Sequence, residues 1–130
     1  MTQEDKELLL KDLCARLPYG VKGIKVYDKD KIVELDGILP ICKPNPNFGQ
    51  NSEPFIELQF SDLDCSPIDK FKPYLRPMSS MTEDEEDELY SVRMGNYGED
   101  VDWLNTHHFD FRNLIEKGLA IEAPTDMYIF

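Results

Sequence analysis

Apolar positions recur at helical spacing over residues 3–17, where Leu10, Leu13, Cys14 and Leu17 form one stripe and Leu9 widens it. Thr2 stands where a helix cap is needed, Glu4 and Asp5 favour the positive end of the helix dipole, and Arg16 favours the negative end. Pro18 disfavours helical geometry at Leu17 and ends the helix. The period then drops to two. Over residues 21–27, Ile24 and Val26 share one face and Lys25 and Tyr27 the other. Over residues 32–39, Val33 and Leu35 alternate with Glu34 and Asp36. With residues 28–31 as a polar turn, this predicts a β-hairpin with one face on the core and one in water. Pro40 and residues 43–54, rich in Pro, Gly and Asn, predict a long loop. A third strand follows, in which Ile56, Leu58 and Phe60 alternate with Glu57 and Gln59.

Helical signals return after residue 65. Ser66 as cap and Pro67 at the first helical position predict a short helix that Pro73 ends. Residues 74–81 then read as an extended connector. Thr82 with Glu85 matches a capping box opening a helix of about a dozen residues, broken by Gly95, Asn96 and Gly98. Another helix is expected over residues 100–107, carrying Val101, Trp103, Leu104 and His107. A last one should run from Asp110 as cap to Gly118 as a left-handed stop, with a short strand over residues 119–123. The pattern therefore predicts one α+β domain over residues 1–130. A small antiparallel sheet of three or more strands packs under the N-terminal helix, with two to four C-terminal helices. That helix should cover the face bearing Val33, Leu35, Ile56, Leu58 and Phe60.

Composition is compatible with this: 130 residues, 41% hydrophobic, can bury a core without disulfides or metals. Charge changes the picture more. The formal net charge is -12, and 14 of the 26 acids but only 6 of the 14 bases fall in the second half. Such a chain should be repelled by nucleic-acid phosphates and anionic membranes, and should accept a protein partner that is basic. Acidity also serves solubility alone. Cys14, Cys42 and Cys65 are odd in number and widely spaced, which argues against a disulfide framework or zinc knuckle and for a reducing compartment. Cys14, on the apolar stripe, is expected to behave as a small hydrophobe. The first residues lack a basic n-region and an apolar h-region, and no window approaches a membrane span, so a cytoplasmic location is the expectation.

Three stretches carry a resemblance: Leu8 to Val21 (LLLKDLCARLPYGV), Lys72 to Thr82 (KPYLRPMSSMT), and Asp102 to Asp110 (DWLNTHHFD) continuing to LIEKGL at Leu114 to Leu119. In these the chain resembles a group of short proteins encoded by anaerobic gut bacteria and their phages or prophages. The loop over residues 41–54 looks like an insertion relative to shorter members. The resemblance implies a phage or mobile-element setting and assigns no activity, cofactor or site residue.

Chemistry-bearing motifs are few. His107, His108 and Asp110 are the only cluster of metal-type ligands. Neighbouring helical histidines point about 100° apart, whereas zinc pairs are spaced i, i+4. One histidine is expected to pack and the other to face solvent, with Asp110 capping the last helix. Residues 83–88 are six consecutive acids. Glu83, Asp84, Glu86 and Asp87 suit a solvated helix start that doubles as a surface for a basic partner. Tyr74, Leu75 and Arg76 are residue types enriched at interfaces, or else pin the connector to the core. No serine-hydrolase elbow, phosphate loop or zinc-protease helix is present, and no catalytic residue, metal or cofactor is assigned.

Three functions remain open. The first is a non-enzymatic interaction or adaptor protein using an acidic surface. The second is a small enzyme with a site near His107–Asp110, and the third is an acidic mimic of DNA. A flat apolar patch with a polar rim would favour the adaptor and a long convex acidic face the mimic. A concave pocket lined by His107 or His108 with convergent carboxylates would favour the enzyme. Partner identity and oligomeric state are not written in the sequence.

Overall fold

The computed structural model describes residues 2–41, 55–95, 99–124 and 127–128. Helix α1 (Gln3–Arg16) opens on a reciprocal capping box. Thr2 Oγ1 accepts the Asp5 amide and the Asp5 carboxylate accepts the Thr2 amide. A 3-10 turn holding Pro18 (Leu17–Tyr19) and a left-handed Gly20 (φ 71°) end it. Strands β1 (Lys22–Lys25), β2 (Asp28–Ile41), β3 (Phe55–Phe60), β4 (Cys65–Pro67) and β5 (Phe71–Leu75) follow. Helices α2 (Glu83–Gly95) and α3 (Glu99–Thr106) and a short β6 (Ile121–Glu122) complete the order. The strands form one sheet in the order β4-β3-β2-β1-β5-β6, antiparallel except for the β5–β6 pair. The expected α+β class is observed, with two C-terminal helices. Among the described residues no helix is long and apolar enough to cross a membrane.

The main core lies between α1 and the sheet. Leu9 and Leu13 meet Val33, Leu35, Leu58, Phe60 and Phe71, with Ile56 half-buried at the margin. The even spacing of Leu58 and Phe60 places both on the covered face, as the alternation requires. A second, smaller core gathers Leu89, Trp103, Leu104 and Phe109 beneath α2 and α3.

Several expectations are corrected. The hairpin turn is Val26–Tyr27, and residues 28–31 belong to β2, with a register shift between Ile24 and Lys25 absorbing the extra residues. Lys25 is buried because its Nζ lies 2.7 Å from Asp64 and 3.0 Å from Asp62. The hydrogen bond to Asp64, joined by the one to Asp62, outweighs burial and holds the ammonium protonated beyond the usual lysine range. The helix expected after Ser66 is only a 3-10 turn, Ile68–Lys70, between β4 and β5. Phe71, Pro73 and Leu75 alternate inward, and that period-two burial decides for a strand. Pro73 is tolerated there because it faces Gly23 at a non-hydrogen-bonded position towards β1, and β6 begins only opposite Tyr74.

Tyr74 and Leu75 are therefore strand residues rather than a connector, and Leu75 is fully buried, which removes it from any interaction surface. The last expected helix is a set of turns, because Asn113 takes a left-handed φ of 59°. Asp110, expected as its N-cap, instead accepts the amides of Leu114 and Ile115, four and five residues on, whereas Gly118 (φ 76°) closes a Schellman-type stop as expected. Cys14 is exposed, beside an apolar groove with Leu10, Leu17, Ile38 and Ile56. Cys42 and the expected loop at 43–54 lie outside the described residues.

The polar side of α1 holds a feature the hydrophobic pattern does not show. Asp12 and Arg16, one turn apart, are both fully buried. Asp12 bonds Arg16 Nε at 2.9 Å and Arg112 Nη1 at 2.7 Å, and Arg16 Nη2 donates to the Phe109 carbonyl. This ionic triad ties α1 to the segment that follows α3.

Candidate functional site

Two motifs far apart in sequence are joined by main-chain bonds. The Arg76 amide donates to the His108 carbonyl at 2.8 Å, and the Asp110 amide donates to the Arg76 carbonyl at 2.8 Å. This isolated parallel bridge between Arg76 and Phe109 extends the sheet by one residue beyond β5. It places Arg76 beside the stretch 107–110 and opens a pocket of about 660 Å3 between β5, β6 and α2. Among the described residues, Arg76, Glu85, Glu88, His107, Glu122 and Tyr128 bring titratable or charged side chains to its lining, which also includes Ser80 and Thr82.

Each wall residue has a local reason for its place. Arg76 lies with its guanidinium carbon 4.1 Å from the Phe109 ring centroid. Its Nη1 and Nη2 donate to the two oxygens of Glu85 at 2.8 and 2.6 Å. Glu85 is also the third residue of the α2 capping box: Thr82 Oγ1 accepts its amide and its carboxylate accepts the Thr82 amide. Arg76 first, helped by the Thr82 amide, pushes the Glu85 carboxyl down to about 2 against the effect of burial. One turn along α2, Glu88 accepts the Trp103 indole N–H at 3.0 Å. Trp103 stacks on His107 with centroids 4.0 Å apart, and His107 Nδ1–H donates to the Trp103 carbonyl at 2.9 Å. That bond fixes the ring and, in the neutral form, leaves the lone pair on Nε2.

Tyr128 closes the other end. By continuation of the β1–β5 register, Lys22 faces Tyr74 at a hydrogen-bonding position. The Tyr128 hydroxyl occupies that place in the ladder. It accepts the Lys22 amide at 2.8 Å and donates to the Tyr74 carbonyl at 2.8 Å. Burial raises its ionisation above the usual phenol range. Its ring stacks on His108 at 4.0 Å. His108 is buried, takes φ 59°, and its Nε2–H donates to the Tyr19 carbonyl at 3.1 Å. Burial, reinforced by the Arg16 charge, pushes its pKa down to about 4.

The sequence-derived candidates thus divide. Arg76 and His107 share the pocket. His108 packs beneath it, and Asp110 serves as an amide acceptor for the turns. Glu83, Asp84, Glu86 and Asp87 are exposed on α2. Glu85, half-buried, and Glu88, exposed like the other four, are the acids of the run that line the pocket. Glu122 and Tyr128 carried no sequence signal of a site. The only hint is the strand expected at 119–123, whose neighbour in the sheet could not be known. No three of the described His, Cys, Asp and Glu side chains gather so as to hold one metal ion. The exposed Cys65 has its thiol pushed up, chiefly by a hydrogen bond with Glu57, which opposes nucleophilic use. No family model, curated protein or solved structure matches the chain.

Proposed function

We propose that the protein is an interaction module whose pocket beside α2 anchors a basic side chain of a protein partner, in the phage or bacterial setting the sequence resemblance suggests. One observation carries this reading. Glu88 and Glu122 face one pocket with no cation paired to either among the described residues, while the pocket's own arginine is engaged by Glu85. The site is therefore anionic, and the exposed acids at 83, 84, 86 and 87 extend that field along the neighbouring helix. Its volume of about 660 Å3 falls within the range of sites that enclose a ligand group.

A second reading draws on His107, since a concave pocket holding a histidine and convergent carboxylates also suits acid–base chemistry. The shifts in the pocket favour binding. Glu85 is driven towards permanent ionisation and Tyr128 towards permanent protonation, so neither is poised to exchange a proton near neutrality. The hydroxyls are committed as well. Ser80 donates to the Pro77 carbonyl at 2.7 Å and Thr82 caps α2.

The test uses a short synthetic peptide alternating lysine and arginine with glycine, titrated calorimetrically at low and high salt. Binding that weakens with salt, and weakens more for Glu88→Gln or Glu122→Gln than for Asp84→Asn or Asp87→Asn, supports the reading. Salt-insensitive binding, or equal losses from both pairs, overturns it.

A further inference from the structure

We infer that the turn between β3 and β4 holds Leu63 out as a contact point for a second copy of this chain. Two observations set this residue apart. It is 97% exposed, so its side chain adds nothing to the core. Its φ of 66° lies in the left-handed region, where glycine or asparagine is at ease and a leucine is strained. The conformation is firmly held all the same. The Leu63 amide donates to the Phe60 carbonyl at 3.0 Å and the Phe60 amide to the Asp64 carbonyl at 3.1 Å. The Asp64 amide donates to the Asp62 carboxylate at 3.1 Å. The buried Lys25 ammonium clamps the carboxylates on both sides of Leu63, and Lys31 reaches Asp62 at 3.0 Å. None of these bonds uses the leucine side chain. A rigid turn thus presents a large apolar group to solvent in a strained backbone that the fold does not require.

Charge and symmetry point to the occupant. Tyr27, 59% exposed, lies close by, its ring centroid 5.7 Å from the same Lys25 ammonium. At this end of the sheet Lys25, Lys29 and Lys31 stand against Asp28, Asp30, Asp62 and Asp64, a balance of -1 within the chain's total of -12. The remaining charge repels two copies elsewhere, whereas here they can approach. The surface is also self-complementary. Lys31 lies on the Asp62 side of the leucine and Asp64 on the other, both half-exposed. A twofold axis through the tip sets Lys31 of one copy against Asp64 of the other, and brings the leucine and tyrosine side chains of the two copies together. The apolar part is small, which makes this a transient pair rather than an obligate dimer.

Sedimentation velocity and amide chemical shifts of the full chain, each followed from about 10 μM to about 1 mM, test this in the range where so small a contact is populated. The native chain should move towards a dimer, with concentration-dependent shifts centred on Tyr27, Lys31, Leu63 and Asp64. Leu63→Gly deletes the side chain and relieves the left-handed backbone. It should raise the dissociation constant at least about tenfold, because each dimer loses two leucines, while the urea midpoint stays at or above the native value. Leu63→Met, which keeps an apolar group, should retain the self-association. A chain that is monomeric throughout, or a dimer that Leu63→Gly leaves intact, would overturn the proposal. So would shifts centred on the outer face of α2, or a Leu63→Gly midpoint below the native one, which would show that the leucine serves the fold.

Discussion

Replacing Tyr128 by Phe removes one oxygen atom from the place where β1, β5 and the C-terminal segment meet. The ring keeps its stack on His108, so the change isolates the hydroxyl. In the native chain that oxygen accepts the Lys22 amide and donates to the Tyr74 carbonyl, each at 2.8 Å. Without it, one main-chain donor and one acceptor lose their partner at the end of the ladder. Stranding a buried polar group costs about 1–3 kcal/mol. Partial closure of the strands onto each other, or entry of a water molecule, would recover some of this. The expected loss is therefore about 2–4 kcal/mol, between one and two stranded groups. Denaturant titration measures it as a lower midpoint at unchanged slope. Hydrogen exchange should speed up at the Lys22 amide more than at the Ile24 amide. A loss below about 0.5 kcal/mol, within the range of an ordinary surface substitution, with no local change in exchange, would refute the bridging role.

The remaining expectations concern the core and the buried charges. Leu13→Ala and Leu58→Ala, both at fully buried positions, should each cost about 2–5 kcal/mol in denaturant titration. Asp12→Ala leaves two arginines facing each other without their shared carboxylate, and a loss of about 3–5 kcal/mol in the same assay is expected. His108 gives a pH signature. Its folded pKa of about 4 lies below the ordinary 6.5, so the unfolded chain binds the extra proton between those values. Stability should be full above pH 6.5 and fall by up to about 3 kcal/mol as the pH drops towards 4. Glu85, held down to about 2, adds further losses below about pH 4.5. Urea midpoints across pH 5–7 should flatten in His108→Asn, a residue that tolerates the left-handed backbone.

What was legible in the sequence follows from which forces are local. The Thr2 and Thr82 caps, the left-handed stop at Gly118, and the alternation of Leu58 and Phe60 depend on neighbours within a few residues. Phe71, Pro73 and Leu75 also alternate, but Pro67 and Pro73 mimicked helix boundaries. Only the partner strand β1, about fifty residues earlier in sequence, resolves the ambiguity. Arg76 and His107 could be singled out by residue type, while their meeting depends on a main-chain bridge with no sequence signature. Asp12 and Arg16 read as the solvent face of α1, because a helical wheel does not show that a later segment brings Arg112 and the Phe109 carbonyl to cover them. Glu122 and Tyr128 became visible for the same reason, through long-range contacts alone.

The chain's single tryptophan gives the most direct test of the proposed site. The Trp103 indole N–H bonds Glu88, and its ring backs His107, so any cation seated between these residues must change its surroundings. Following the indole N–H resonance during titration with the peptide that alternates lysine and arginine with glycine should show a saturable shift. Its midpoint should match the affinity from backbone amides, and Glu122→Gln should weaken it. An indole resonance that stays fixed while amides on the outer face of α2, around Asp84 and Asp87, move with the peptide would contradict the pocket as the binding site.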